Sequence, residues 1–150
     1  MTIAGLVVAA LLSSFVPGPH EDVTIIREHC PRDPATSCTW AGGPIYWAPG
    51  DDTGILLHEL GHHFDYDDMT DQDRADFEAI NGDPRPWRSP PNSPNEQFAE
   101  AYRMCAEIRV LKWKHDRWGS LWLPTGAYGW EPGPKRHKKA CAIIRRAASR

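Results

Sequence analysis

The chain has 150 residues, of which 41% are apolar and 25% are charged, and its formal net charge is −3. A chain of this length can bury about 68–70% of the surface that its unfolded form exposes, which predicts one folded domain and excludes a disordered protein. The charge is uneven: residues 1–108 sum to −12 and residues 109–150 to +9. The basic part is therefore either a binding segment or the counterpart of an acidic part of the same domain.

The N-terminal segment is apolar. Residues 3–16 carry no charge and are followed by a Pro-Gly-Pro sequence. A transmembrane helix needs about 20 apolar residues, so this run fits the core of a signal peptide better than a stable membrane span, and the alternative is a buried element of the domain. We therefore predict a signal peptide or hydrophobic segment at residues 1–18, a domain at residues 19–150, and export; without export the protein would be cytoplasmic.

Four cysteines agree with export, because disulfides persist in oxidising compartments. Cys30 and Cys38 flank a turn-rich loop, and Cys105 and Cys141 lie on two predicted helices, so we expect these two pairs to be disulfides. The alternative is four free, buried thiols. None has the Cys-x-x-Cys spacing that is typical of a zinc knuckle.

The predicted elements alternate strands and helices. β-branched residues predict a strand at 23–28, and Ile45-Tyr46-Trp47, flanked by prolines, predicts a short edge strand that could pair with an extended substrate along Pro44–Ala48. Apolar periodicity and capping residues predict helices from 53 to about 66, 70 to about 80, 94 to about 112, and 135 to 148. The tryptophans, glycines and prolines of residues 113–133 predict an irregular aromatic layer. The fold class is therefore α+β, with a small, mostly N-terminal sheet packed on the first helix.

The first helix carries the sequence His58-Glu59-Leu60-Gly61-His62, an HExxH motif. A spacing of four places both imidazoles on one helical face, about 6 Å apart along the axis, so that one Zn²⁺ can bind both. A catalytic zinc has a third protein ligand and an open position for water. Asp65 lies too far along the axis to be that ligand, and we expect it to accept a hydrogen bond from His62.

The third ligand is predicted on the later helix, where Glu96 and Glu100 lie four residues apart. Two carboxylates at this spacing repel each other unless a cation or a ligand histidine lies beside them. The alternatives are a capping box between Glu96 and Ser93, and an ion pair between Glu100 and Arg103.

These two motifs, in this order, resemble the gluzincin zinc metallopeptidases, and most closely the catalytic domain of anthrax lethal factor and its small bacterial and phage-encoded relatives. There an HExxHxxD helix precedes a Glu-x-Phe-Ala-Glu-Ala-aromatic helix, matched here by residues 58–65 and 96–102. The resemblance covers about 50 residues. It implies a zincin-like fold, zinc ligands His58, His62 and Glu96, catalytic Glu59, and a Glu100 that holds a ligand histidine. The family's tyrosine shortly before the ligand glutamate has no counterpart here.

The predicted activity is peptide-bond hydrolysis, in which Glu59 takes a proton from a zinc-bound water and passes it to the leaving amine. A donor to the oxyanion is also needed. The candidates are Tyr46, Arg88, Tyr128 and His137. The sequence does not determine the cleaved substrate, or whether the protein is made as an inactive precursor.

Two other classes of function compete with this prediction. One is a zinc-stabilised binding module without catalysis, which has no use for Glu59. The other is binding of nucleic acid or an anionic surface by the basic C-terminal segment. For this segment we instead predict a solvated helix face whose charges balance the acidic residues of the same domain. The expected partner is a peptide or protein substrate. We expect no nucleic-acid partner, no stable membrane span and a monomeric protein.

Overall fold

The computed structural model describes residues 17–19, 23–34, 36–107 and 127–150, and the backbone of two short strands between them. This part of the chain forms an α+β fold. In chain order, its elements are β1 (Ile25–Ile26), β2 (Ile45–Tyr46), α1 (Thr53–Asp67), α2 (Asp71–Asn81), α3 (Pro94–Glu107), β3 (Lys114–His115), β4 (Leu121–Trp122) and α4 (Pro134–Ala147). The predicted fold class is confirmed. The predicted segment at residues 1–18 lies almost entirely outside the described residues.

The strands form two small sheets. β1 and β2 are parallel, with Ile25 opposite Ile45, and β3 and β4 are antiparallel. On the other side of β2, Tyr46 exchanges two backbone hydrogen bonds of 2.9 Å with Cys38. The prediction that β2 is an edge strand is therefore wrong. The Ile45 and Trp47 amides donate to the β1 side, while Tyr46 pairs with Cys38 on the other side. This pairing leaves no free edge for a substrate strand along Pro44–Ala48.

The first two helices begin where their capping residues predict. The Asp52 side chain caps α1 by accepting from the Ile55 amide. Thr70 and Asp73 form a reciprocal capping box at the start of α2, and Gly82 ends α2 with a φ of 75°, a left-handed conformation that glycine adopts without strain. Of the predicted helix at 94–112, the part up to Glu107 is helical, and residues 108–112 lie outside the described residues.

The core lies between α1 and α3, with α4 packed against α2 and α3. Its aromatic centre is formed by Phe64, Phe77, Phe98, Tyr102 and Trp130, all fully buried. Trp130 belongs to the predicted aromatic layer at residues 113–133. Most of that layer lies outside the described residues. The sheet contributes Ile45 and Trp47 to the same core.

Both predicted cysteine pairs are disulfides, with Cα separations of 5.5 Å for Cys30 and Cys38 and 5.7 Å for Cys105 and Cys141. The second joins α3 to α4. None of the helices in the described ranges has the length and apolar character needed to cross a bilayer.

Candidate metal centre

Helix α1 buries its two motif histidines against α3. Leu56, Leu60 and Phe64 place one face of α1 in the core, and the opposite face carries His58 and His62, which are also buried. Their rings meet edge to face with centroids 4.9 Å apart. The HExxH spacing therefore brings two imidazoles together under the cover of a second helix.

Gly61 allows α3 to approach α1 closely. A Cβ atom at this position would lie 2.8 Å from the Ala99 Cα and 3.0 Å from the Ala99 carbonyl oxygen. Such distances are shorter than van der Waals contact, so only glycine fits without displacing a backbone. Because Ala99 lies between Glu96 and Glu100 on α3, this close approach sets both carboxylates beside the histidines.

Glu96 completes a three-ligand arrangement. Its Oε2 lies 3.2 Å from the His58 Nε2 and 3.3 Å from the His62 Nε2. Zinc bonds of about 2.0–2.1 Å at the tetrahedral angle separate two ligand atoms by about 3.3 Å, so the observed distances match the edges of a zinc tetrahedron. Glu96 forms no capping box with Ser93, whose hydroxyl instead bonds Asn95 Oδ1.

The electrostatics of this cluster favour a cation. Burial lowers the pKa of His58, but Glu100, Glu96 and Glu59 outweigh burial and raise it to about 9. Burial raises the pKa of Glu96, but the two histidines hold it well below its usual range. Nδ1 of His62 has no hydrogen-bond partner among the described residues. Two nitrogens and a carboxylate oxygen converge on one point, a donor set that fits zinc.

Glu100 connects His58 to a loop outside the helices. Its Oε2 lies 3.5 Å from the His58 Nδ1, and its Oε1 accepts a 2.8 Å hydrogen bond from the Ala127 amide. Arg103 also binds Glu100, through Nε at 2.8 Å. The ion pair between Glu100 and Arg103, which was the alternative to a contact with a histidine, is thus present together with the contact to His58. The pKa of Glu100 is lowered to about 2, because these partners outweigh its burial.

Tyr128 covers the site. Its ring stacks on His58 with centroids 4.6 Å apart and planes inclined by 27°, and 39% of the residue is exposed. Its φ of 56° is left-handed, which costs about 1–3 kcal/mol in a non-glycine residue. Burial and the nearby carboxylates raise the pKa of its hydroxyl, which is therefore protonated at neutral pH and can donate.

Glu59, between the two motif histidines in sequence, is buried as well. Burial is the main cause that raises the pKa of its carboxyl, and the histidines oppose it. A carboxylate in such surroundings holds a proton more readily than one in water, as a general base must.

Asp65 does not bind His62, and that prediction is wrong. Its fully buried carboxylate accepts a 2.7 Å bond from Arg74 Nε on α2 and bonds of 3.1 and 3.0 Å from the Trp87 indole. A guanidinium on the next helix and an indole N–H are stronger competitors than an imidazole one turn away. Asp65 therefore joins α1 to α2 and to the loop before α3.

The remaining oxyanion candidates lie in different places. Tyr46 stacks on Trp40 at 5.6 Å. His137 is buried, with its Nε2 3.6 Å from the Cys141 Sγ and beside Cys105. Cys105 lies about 13 Å along α3 from Glu96, so His137 is distant from the candidate metal centre. Cys105, Cys141 and His137 form a second group of metal-ligand types, but the disulfide leaves no thiolate to bind a metal. Of the four candidates, Tyr128 is the one whose ring stacks on His58.

Arg88 lies on the rim of the site. Its Nη2 is 3.6 Å from Asp65 Oδ2, and its guanidinium lies over the Tyr66 ring at 4.8 Å. Arg88, Glu96 and Tyr128 line one open cleft of about 480 Å³. Sequence patterns do not reveal this cleft, because its two walls, residues 88–96 and Tyr128, are distant in sequence.

No family model, curated protein or solved structure matches this chain. The chemistry of the site is therefore the basis for a functional assignment.

Proposed function

We propose that this protein is a zinc-dependent peptidase of the gluzincin type, with His58, His62 and Glu96 as its metal ligands. One observation carries the proposal: a single carboxylate oxygen of Glu96 lies 3.2 and 3.3 Å from the Nε2 atoms of two buried histidines that are spaced as HExxH. The family resemblance of the two motifs agrees with it. The three side chains are ligand types that zinc binds, and their ligand atoms lie within 4.8 Å of one another.

The catalytic chemistry assigns separate tasks to the residues around these ligands. Zinc, when bound, supplies a water of lowered pKa and polarises the carbonyl of the substrate. Glu59 would accept a proton from the attacking water as the water oxygen adds to the carbonyl carbon. When the carbon–nitrogen bond breaks, Glu59 returns this proton to the leaving amine.

Tyr128 is the residue that we assign to the oxyanion. Its hydroxyl is protonated and its ring lies against His58, at the edge of the open cleft. A donor in that position stabilises the negative charge that develops on the substrate oxygen. Glu100 keeps both groups in place, because it contacts His58 and binds the amide of Ala127, next to Tyr128.

The test is a peptide-library cleavage assay with zinc-loaded protein, with and without a chelator, on the wild type and on Glu59→Gln. Glu59→Gln should retain zinc and lose about 10²–10⁴-fold in cleavage rate, since it removes the base and leaves the ligands. Glu131→Gln, at an exposed position, is the matched control and should cleave at the wild-type rate.

Two results would contradict this assignment. Cleavage by Glu59→Gln at the wild-type rate would remove Glu59 from the mechanism. A wild-type protein that binds zinc but cleaves no peptide would instead be the zinc-stabilised binding module.

We further propose that the protein is exported and acts as a monomer on peptide or protein substrates. Two disulfides support export, because reducing compartments do not maintain them.

A further inference from the structure

The cleft beside the candidate metal centre has a volume typical of ligand-binding sites, about 480 Å³. It lies between the loop that precedes α3 and the Tyr128 turn, and it opens on Glu96. Asn92 and Tyr128, on its two walls, have left-handed φ values of 51° and 56°. Strained residues of this kind collect at ligand sites, where the surrounding structure holds them.

Arg88 lines this cleft, and its guanidinium contacts Asp65 and Tyr66. Asp65 lies 3.6 Å from one nitrogen and the Tyr66 ring packs beneath the group, yet 56% of the side chain is exposed. The Asp65 carboxylate is already bonded by Arg74 and Trp87, so its interaction with Arg88 is the longest of the three. A guanidinium has five N–H donors in a planar fork, and most of those of Arg88 are free for a ligand.

Asn95 adds a second donor. The residue is only 7% exposed, and its Oδ1 accepts from the Ser93 hydroxyl. The residue also lines the cleft. A side-chain amide carries two N–H donors, so Asn95 can donate to an acceptor that is bound in this cleft.

We propose that this cleft binds a carboxylate of the peptide substrate, through the Arg88 guanidinium and the Asn95 amide. The carboxylate belongs either to an Asp or Glu side chain near the cleaved bond or to the C-terminus of the peptide. This inference rests on the proposed function for its ligand class. It gives the cleft a task that the metal ligands and Glu59 do not perform, the selection of substrates with an anionic group beside the cleaved bond.

The experiment measures peptide binding to the full chain carrying Glu59→Gln, with and without zinc. The probes are acetylated hexapeptide amides with Glu or Gln scanned through the positions, and the Gln peptides with a free C-terminal carboxylate. A charged pair of this kind should make one of the carboxylate peptides bind about tenfold more tightly than its neutral counterpart. The peptide that shows the preference identifies which carboxylate is bound.

Arg88→Gln should abolish the preference, and Arg88→Lys should retain part of it because the charge remains. The matched control is Arg145→Gln, at an exposed position of α4, which should keep the full preference. Thermal unfolding of each variant checks that it is folded. The proposal is overturned if charged and neutral peptides bind equally, if the preference survives Arg88→Gln, or if no peptide binds.

Binding and cleavage separate the two proposals. An Arg88-dependent preference in a chain whose wild type cleaves no peptide would contradict the peptidase and support the carboxylate site. Zinc-dependent cleavage without any preference for acidic peptides would support the peptidase and overturn the carboxylate site.

Discussion

Tyr128 is the residue on which the catalytic assignment differs most from the resembling family. That family places its tyrosine shortly before the ligand glutamate, whereas Tyr128 follows Glu96 by 32 positions. Its ring nevertheless stacks on His58. A loop from another part of the chain thus brings a tyrosine ring beside a motif histidine.

Tyr128→Phe should lower kcat for peptide cleavage by about 10²–10³-fold, the loss typical of removing one oxyanion donor. Zinc affinity should not change, because the ring and its contact with His58 remain. Steady-state kinetics together with zinc titration measure both quantities. Tyr46→Phe, which removes a hydroxyl from β2, is the control and should leave both unchanged. A similar loss in both variants would remove Tyr128 from the mechanism.

The sequence predicts part of this site because helical periodicity is a local property. The spacing of His58 and His62 places them on one face, and Glu96 and Glu100 are four apart for the same reason. The partner of Asp65 could not be predicted, since Arg74 and Trp87 reach it from other segments. The choice of Tyr128 among four candidates also needs the tertiary arrangement.

At the scale of elements, the contact between α1 and α3 builds the site. Asp52 caps the start of α1, and the two helices approach closely where Gly61 faces Ala99. The prediction of the helices succeeds because capping residues and apolar periodicity agree. The strands are shorter than predicted, and β2 is paired on both sides, because strand pairing depends on partners that are distant in sequence.

Gly61→Ala should destabilise the fold by about 1–3 kcal/mol, although alanine is normally favoured over glycine inside a helix. The added Cβ would force α3 away from α1 and draw Glu96 from the histidines, so zinc affinity should fall as well. Urea unfolding and zinc titration measure the two effects. The control is Gly133→Ala, where an added Cβ meets nothing within 4 Å. Equal stability of Gly61→Ala and the wild type would contradict the close approach.

At the scale of the whole molecule, the acidic and basic parts of the chain meet. Arg146 Nη2 lies 2.6 Å from Asp73 Oδ1 and 2.6 Å from Asp76 Oδ2, and Arg150 also pairs with Asp73. Arg136 donates to the Asn81 carbonyl at the end of α2. These contacts connect the C-terminal end of the chain to α2, which supports a structural role for this basic segment over a nucleic-acid surface.

Asp73→Asn should lower the free energy of unfolding at pH 7 by about 2 kcal/mol, because a buried carboxylate loses two guanidinium partners and part of the α2 cap. Hydrogen bonds from Thr70, Arg150 and Arg146 outweigh burial and hold the pKa of Asp73 well below its usual range. The stabilisation is therefore present above the unfolded-state pKa of about 3.9 and is lost as the pH falls through the lower folded-state pKa.

The difference between the wild type and Asp73→Asn should accordingly shrink as the pH falls below about 4. Urea unfolding over a pH series measures it. Asp71→Asn, at a fully exposed position of the same helix, should have little effect. A difference that is the same at pH 3 and pH 7 would show that the Asp73 charge does not contribute.

The central claim is a zinc ion held by His58, His62 and Glu96. Anomalous diffraction at the zinc edge, on crystals of the zinc-loaded protein, tests it directly. We expect one peak within about 2.0–2.2 Å of both Nε2 atoms and of a Glu96 carboxylate oxygen. A zinc-loaded crystal with no peak between these three residues, or with its zinc bound elsewhere, would contradict the account.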